Sequence, residues 1–65
     1  MMSEEKQRIE SCMVINGYKG NVVSFDQSLI MRSFYRVHWS DGKIYLINID
    51  RFTVDEIGVD HVGED

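Results

Sequence analysis

The stretch from Phe34 to Phe52 narrows the possible folds more than any other part of the chain. Two runs rich in aromatic and β-branched residues, Ser33 to Trp39 and Lys43 to Ile49, flank Ser40-Asp41-Gly42. Such residues suit a pleated, half-buried surface, and Asp-Gly between two apolar runs is a strong hairpin signal. The loop length decides which side chains share a face. A two-residue loop at Asp41-Gly42 pairs Val37 with Leu46 and Tyr35 with Asn48. A three-residue loop with Gly42 in a left-handed bulge pairs Val37 with Tyr45 and Tyr35 with Ile47. A slip of one residue exchanges the two faces of a strand. The bulged form is preferred, because it gathers Tyr35, Val37, Tyr45, Ile47 and Ile49 on one apolar face. Ile44 and Leu46 then lie outside the core, flanked by Arg36 and His38.

The flanking segments read as shorter elements. Residues 1–11 are polar, a flexible or short helical segment in which Ser3 can cap a turn that begins with Glu4 and Glu5. Cys12 to Ile15 is a compact apolar run ending at Asn16-Gly17, read as the first strand. Asn21 to Phe25 is read as the second, with Val23 and Phe25 inward. Leu29 to Met31 either starts the third strand early or caps one end of the core. Asn48 to Phe52 suits one turn of 3₁₀ helix with Ile49 and Phe52 inward. Thr53 to Val59 is the last strand, and residues 61–65 form an acidic tail. The expected architecture is therefore all-β: a small five-stranded barrel over residues 12–60, with a short helical turn before the last strand. Closure would also remove the strand edges that invite aggregation.

Size and composition set bounds on class. A domain of 65 residues buries only about 60% of its unfolded surface, so its stability is marginal unless it is well packed or oligomeric. Leu, Ile, Val and Phe make up 19 of the 65 residues, above the roughly one-fifth below which chains tend to stay disordered. One cysteine, Cys12, permits no intrachain disulfide and fits a reducing cytoplasm. The longest apolar run is far shorter than the ~20 residues that span a bilayer, and the acidic N-terminus lacks a leader pattern. The chain is expected to be cytoplasmic, with no membrane partner. Its net charge of −4 is concentrated after residue 49, where Asp50, Asp55, Glu56, Asp60, Glu64 and Asp65 face Arg51 alone.

Two segments carry a resemblance. Val14-Ile-Asn-Gly-Tyr-Lys-Gly-Asn-Val-Val23 is similar to the opening of KOW-type modules. Tyr35-Arg-Val-His-Trp-Ser-Asp-Gly42 with Ile47-Asn-Ile-Asp-Arg-Phe52 resembles the later strands of Tudor-type domains. Both belong to the Src-homology-3-like small-barrel class. The resemblance implies a non-enzymatic binding module of five strands, and a fold of that kind does not by itself fix a function.

Three candidate surfaces follow. The first is a protein-binding strip of Ile44 and Leu46 flanked by Arg36 and His38, since an exposed apolar strip on a small domain marks a contact. Asp55, Glu56 and Asp60 join it as a negative face for a basic partner. The second is an aromatic surface of Tyr18, Trp39 and Tyr45, which the Tudor resemblance implies as a cage for a methylated cation; core packing of these rings is the plainer account. The third is a nucleic-acid surface, with Lys19, Arg32, Arg36 and Lys43 interleaved with tyrosines, opposed by the acidic C-terminal quarter.

No nucleophile–base pair, zinc-type spacing or phosphate-binding loop is present in the sequence. Cys12 in an apolar run reads as an inert thiol. The expectation is a non-enzymatic protein-interaction module without cofactor, metal or small-molecule substrate. Its partner is a host protein or a second copy. A small acidic regulator or inhibitor of the kind a phage or mobile element encodes fits this size, and the alternative is a KOW- or Tudor-like nucleic-acid-binding module.

Overall fold

A computed structural model describes residues 3–60. The 61–65 tail expected from the sequence lies outside the described residues. One helix, α1 (Glu4–Ile15), precedes four strands: β1 (Val22–Gln27), β2 (Phe34–Trp39), β3 (Lys43–Asn48) and β4 (Thr53–Val59). The strands form one antiparallel meander in the order β1-β2-β3-β4. The sheet is open, with β1 and β4 at its two margins. The expected five-stranded closed barrel is therefore corrected to an open four-stranded sheet with one helix.

The physical reason lies in Cys12 to Ile15. This run is the last turn of α1 and not a strand. Ser3 caps the helix, its hydroxyl accepting from the Lys6 amide at 3.1 Å, and Glu4 and Glu5 stand at the positive end of the helix dipole. Ile9, Cys12 and Met13 follow the i, i+3, i+4 spacing of one helical face, and all three are fully buried. They close the core from above with Val22, Tyr35, Val37, Trp39, Tyr45 and Ile47 from the sheet. Because α1 covers one face of the sheet, that core needs no fifth strand.

The central hairpin adopts the bulged register, with Tyr35 opposite Ile47 and Val37 opposite Tyr45. Gly42 has φ 82, a conformation that costs glycine little and a β-branched residue much. Its amide donates to the Trp39 carbonyl at 3.0 Å. The Asp41 carboxylate accepts from the Lys43 amide at 2.9 Å, which fixes the turn from its own side chain.

Two further expectations are corrected. In β1 the register shifts between Val22 and Ser24, so Val22 is buried while Val23 is exposed. The corner between β3 and β4 is a turn without a helical segment. There the side-chain carbonyl of Asn48 accepts from the amides of Asp50 and Arg51 at 2.9 and 3.1 Å. Ile49 packs against the core, but Phe52 is half-exposed, outside the buried cluster, and sits at φ 57.

Candidate functional site

The face of the sheet opposite α1 brings together most of the strip anticipated from sequence. Side chains alternate across a strand, and cross-strand partners share a face. With Tyr35, Val37, Tyr45 and Ile47 under the helix, the other face carries three rows. Asp26, Arg36, Leu46 and Asp55 form one row across all four strands. Ser24, His38, Ile44 and Gly58 form the second, and Phe34, Asn48 and Thr53 the third. Ile44, Leu46 and Phe34 are half-buried and make the apolar centre. Arg36 Nη2 lies 3.7 Å from Asp26 Oδ2, with both side chains largely exposed. His38 Nδ1 lies 3.4 Å from Asp60 Oδ2. Shallow hollows flank the centre: one runs beside Asp26, Phe34, Arg36 and Leu46, the other beside Met31, Phe34, Arg51, Thr53 and Asp55.

Of the acidic residues proposed for a common negative face, only Asp55 stands in this row. Glu56 is its neighbour in β4 and points to the helix side, where it pairs with Lys43 at 3.5 Å. Asp60 is engaged with His38 at the far end. A single acidic face over Asp55, Glu56 and Asp60 is therefore corrected, because strand alternation separates the first two.

The aromatic surface is also corrected. Tyr18, Trp39 and Tyr45 do meet at the Asp41-Gly42 end of the sheet, with the Tyr18 and Tyr45 rings 4.8 Å apart and edge-on. Trp39 and Tyr45, however, are almost fully buried, and their polar atoms are engaged. The Trp39 indole donates to the Lys19 carbonyl at 2.8 Å, and the Tyr45 hydroxyl donates to Asp41 Oδ2 at 2.6 Å. Burial first, then that hydrogen bond, pushes the Tyr45 phenol well above its ordinary pKa. A cation cannot reach the faces of rings packed in this way.

The four bases named for a nucleic-acid surface are dispersed. Lys19 and Lys43 lie at the Asp41-Gly42 end, and Arg32 lies in the loop at the other end. Arg36 and Lys43 are ion-paired on opposite faces. Cys12 is buried, and burial raises its thiol pKa, which suppresses the reactive thiolate. Among the described residues no group of three or more His, Cys, Asp or Glu side chains converges as a metal site would. No helix of the described residues is long and apolar enough to cross a membrane.

Phe34 and Met31 were not anticipated as part of the strip. Phe34 has the same parity as Arg36 and His38, so strand alternation was the signal that could have placed it. Met31 belongs to the β1–β2 loop, whose Leu29 and Ile30 are about nine-tenths exposed; no periodic pattern in the sequence marks that loop. Comparison of the chain with protein-family models, with curated proteins and with solved structures finds no match.

Proposed function

We propose that the chain is a non-enzymatic protein-interaction module that binds through the sheet face opposite α1. The observation that carries this reading is the grouping of Phe34, Ile44 and Leu46 between Arg36, His38 and Asp55 on a face that no other helix or strand of the described residues covers. An apolar centre with a charged rim is the common composition of a protein contact surface. Binding without chemistry suits a small regulatory chain, which acts by occupying a surface.

The test is photo-crosslinking from two positions. A photoreactive side chain replaces Leu46 on the sheet face or Ser11 on the exposed side of α1. An adduct of one defined mass from position 46 and not from position 11 is the expected result. Equal yields from both positions, or none from either, would overturn the assignment.

A further inference from the structure

We propose that the occupant of this face is a second copy of the chain, packed sheet on sheet about a two-fold axis that runs along β3 through Leu46. The proposal rests on the docking face argued above and names what fills it.

The argument comes from the rows of the face. Arg36 and Asp55 are the two neighbours of Leu46, one strand to either side, each about 4.8 Å away. A two-fold axis along β3 lays each residue of β2 over its row-mate in β4 of the second copy. Arg36 of each chain then meets the partner's Asp55, and Leu46 and Ile44 meet their own counterparts on the axis. The self-complementarity this requires is that of an isologous interface.

Shape follows the same axis. Off the axis, the bulky residues Phe34, Arg36 and His38 lie on β2, while β4 offers Thr53, Asp55 and Gly58 in the same rows. Phe34 therefore lies over the partner's Thr53. His38 lies over the partner's Gly58, where the nearest atom to an added Cβ is the Ile44 methyl, 3.8 Å away. Away from the axis large residues meet small ones in each row, and aligned sheets pack about 10 Å apart with interdigitated side chains.

The charges are available for this pairing. Asp55 is exposed and makes no ion pair within the chain among the described residues. Arg36 reaches Asp26 only across solvent, with side chains 59% and 71% exposed, and contacts of that kind contribute little. The alternative route to a dimer, edge pairing of β4 with its own copy about the middle of the strand, sets Glu56 against Glu56, and like charges directly opposed are destabilising. The face is three strands wide between Arg36 and Asp55. Its contact area is therefore at the low end for stable interfaces, and the dimer is expected to be reversible and dependent on concentration.

Analytical ultracentrifugation of the full chain from about 1 μM to about 1 mM spans the affinities expected of such a contact. The wild type should pass from monomer to dimer within it. Arg36→Asp alone sets carboxylates on both sides of the axis, and Asp55→Arg alone sets guanidiniums there. Each should weaken self-association by more than about tenfold, as facing like charges do. An equimolar mixture of the two should restore the dimer, because every contact then joins opposite charges. If circular dichroism shows a single variant unfolded, the doubly exchanged chain, Arg36→Asp with Asp55→Arg, should dimerise like the wild type. A wild type that stays monomeric throughout would overturn the proposal, and so would variants that dimerise unaided or fail to recover on exchange. A monomeric wild type that still gives a specific adduct with a different protein from position 46 would reject the second copy while leaving the docking face in place.

Discussion

The side-chain amide of Asn16 donates to the Phe52 carbonyl oxygen at 2.9 Å, fastening the end of α1 to the corner between β3 and β4. The same amide nitrogen donates to the Cys12 carbonyl at 2.8 Å, so one side chain caps the helix and holds the turn. Phe52, at φ 57, occupies a region that non-glycine residues rarely visit. Asn16→Ala should lower stability by about 1–2 kcal/mol, the scale of lost hydrogen bonds. Phe52→Asn should stay within about 1 kcal/mol of the parent, since asparagine tolerates left-handed backbone. Urea melts of both variants check the pair, and a larger loss for Phe52→Asn than for Asn16→Ala would contradict it.

Ile9 has no exposed surface and is the first of the three helical residues seated on the sheet. Ile9→Ala should cost about 2–5 kcal/mol, the range for truncating a buried aliphatic side chain. That loss is a large part of the stability of a small domain. A thermal melt that stays near the parent would mean that α1 is not part of the core.

Gly20 has φ 127, and a Cβ built there would lie 2.2 Å from Ser40 Oγ and 3.0 Å from the Trp39 indole nitrogen. Ser40 Oγ cannot retreat freely, since it accepts from the Asn21 amide at 3.0 Å. Gly20→Ala therefore combines backbone strain with a clash and should destabilise the chain by more than about 1 kcal/mol. Tryptophan fluorescence during denaturation reports it directly, because Trp39 is the only tryptophan. An unshifted midpoint would show that the loop moves aside.

The Tyr35 phenol donates to Glu5 Oε2 at 2.5 Å. Burial, then that hydrogen bond and the Glu5 charge, push its pKa from 10.0 up to about 12. The folded state holds this proton more tightly than the unfolded chain does. The stabilisation is thus complete below pH 10 and is lost as pH rises through about 12. Tyrosinate absorbance should show Tyr35 ionising later than an exposed tyrosine, and Glu5→Gln should bring that ionisation to lower pH. Identical titration in variant and parent would remove Glu5 as a cause.

The central hairpin was legible because local chemistry and patterning agree there. Asp41-Gly42 supplies the turn, and the alternation from Tyr35 to Trp39 selects one register. The same alternation placed Arg36, His38, Ile44 and Leu46 on one face. The N-terminal run was misread because four consecutive apolar residues suit a strand as well as a helix. Only Ile9, one turn back, reveals the helical face that Cys12 and Met13 complete. The bulge that exposes Val23, and the left-handed Phe52, have no local signature. The first depends on how β1 meets β2, and the second on the hold of Asn16 from a distant segment. Asp55 and Glu56 read as one cluster in the sequence, yet neighbours on a strand belong to opposite sides.

Both marginal strands carry an irregular register, β1 between Val22 and Ser24 and β4 opposite Ile44 and Tyr45. A straight foreign strand approaching either margin would find amides and carbonyls out of step with its own, so pairing would stop after a few residues. Templated growth into fibrils is thereby interrupted at both ends of the sheet, even though Ile57 and Val59 lie exposed along one of them.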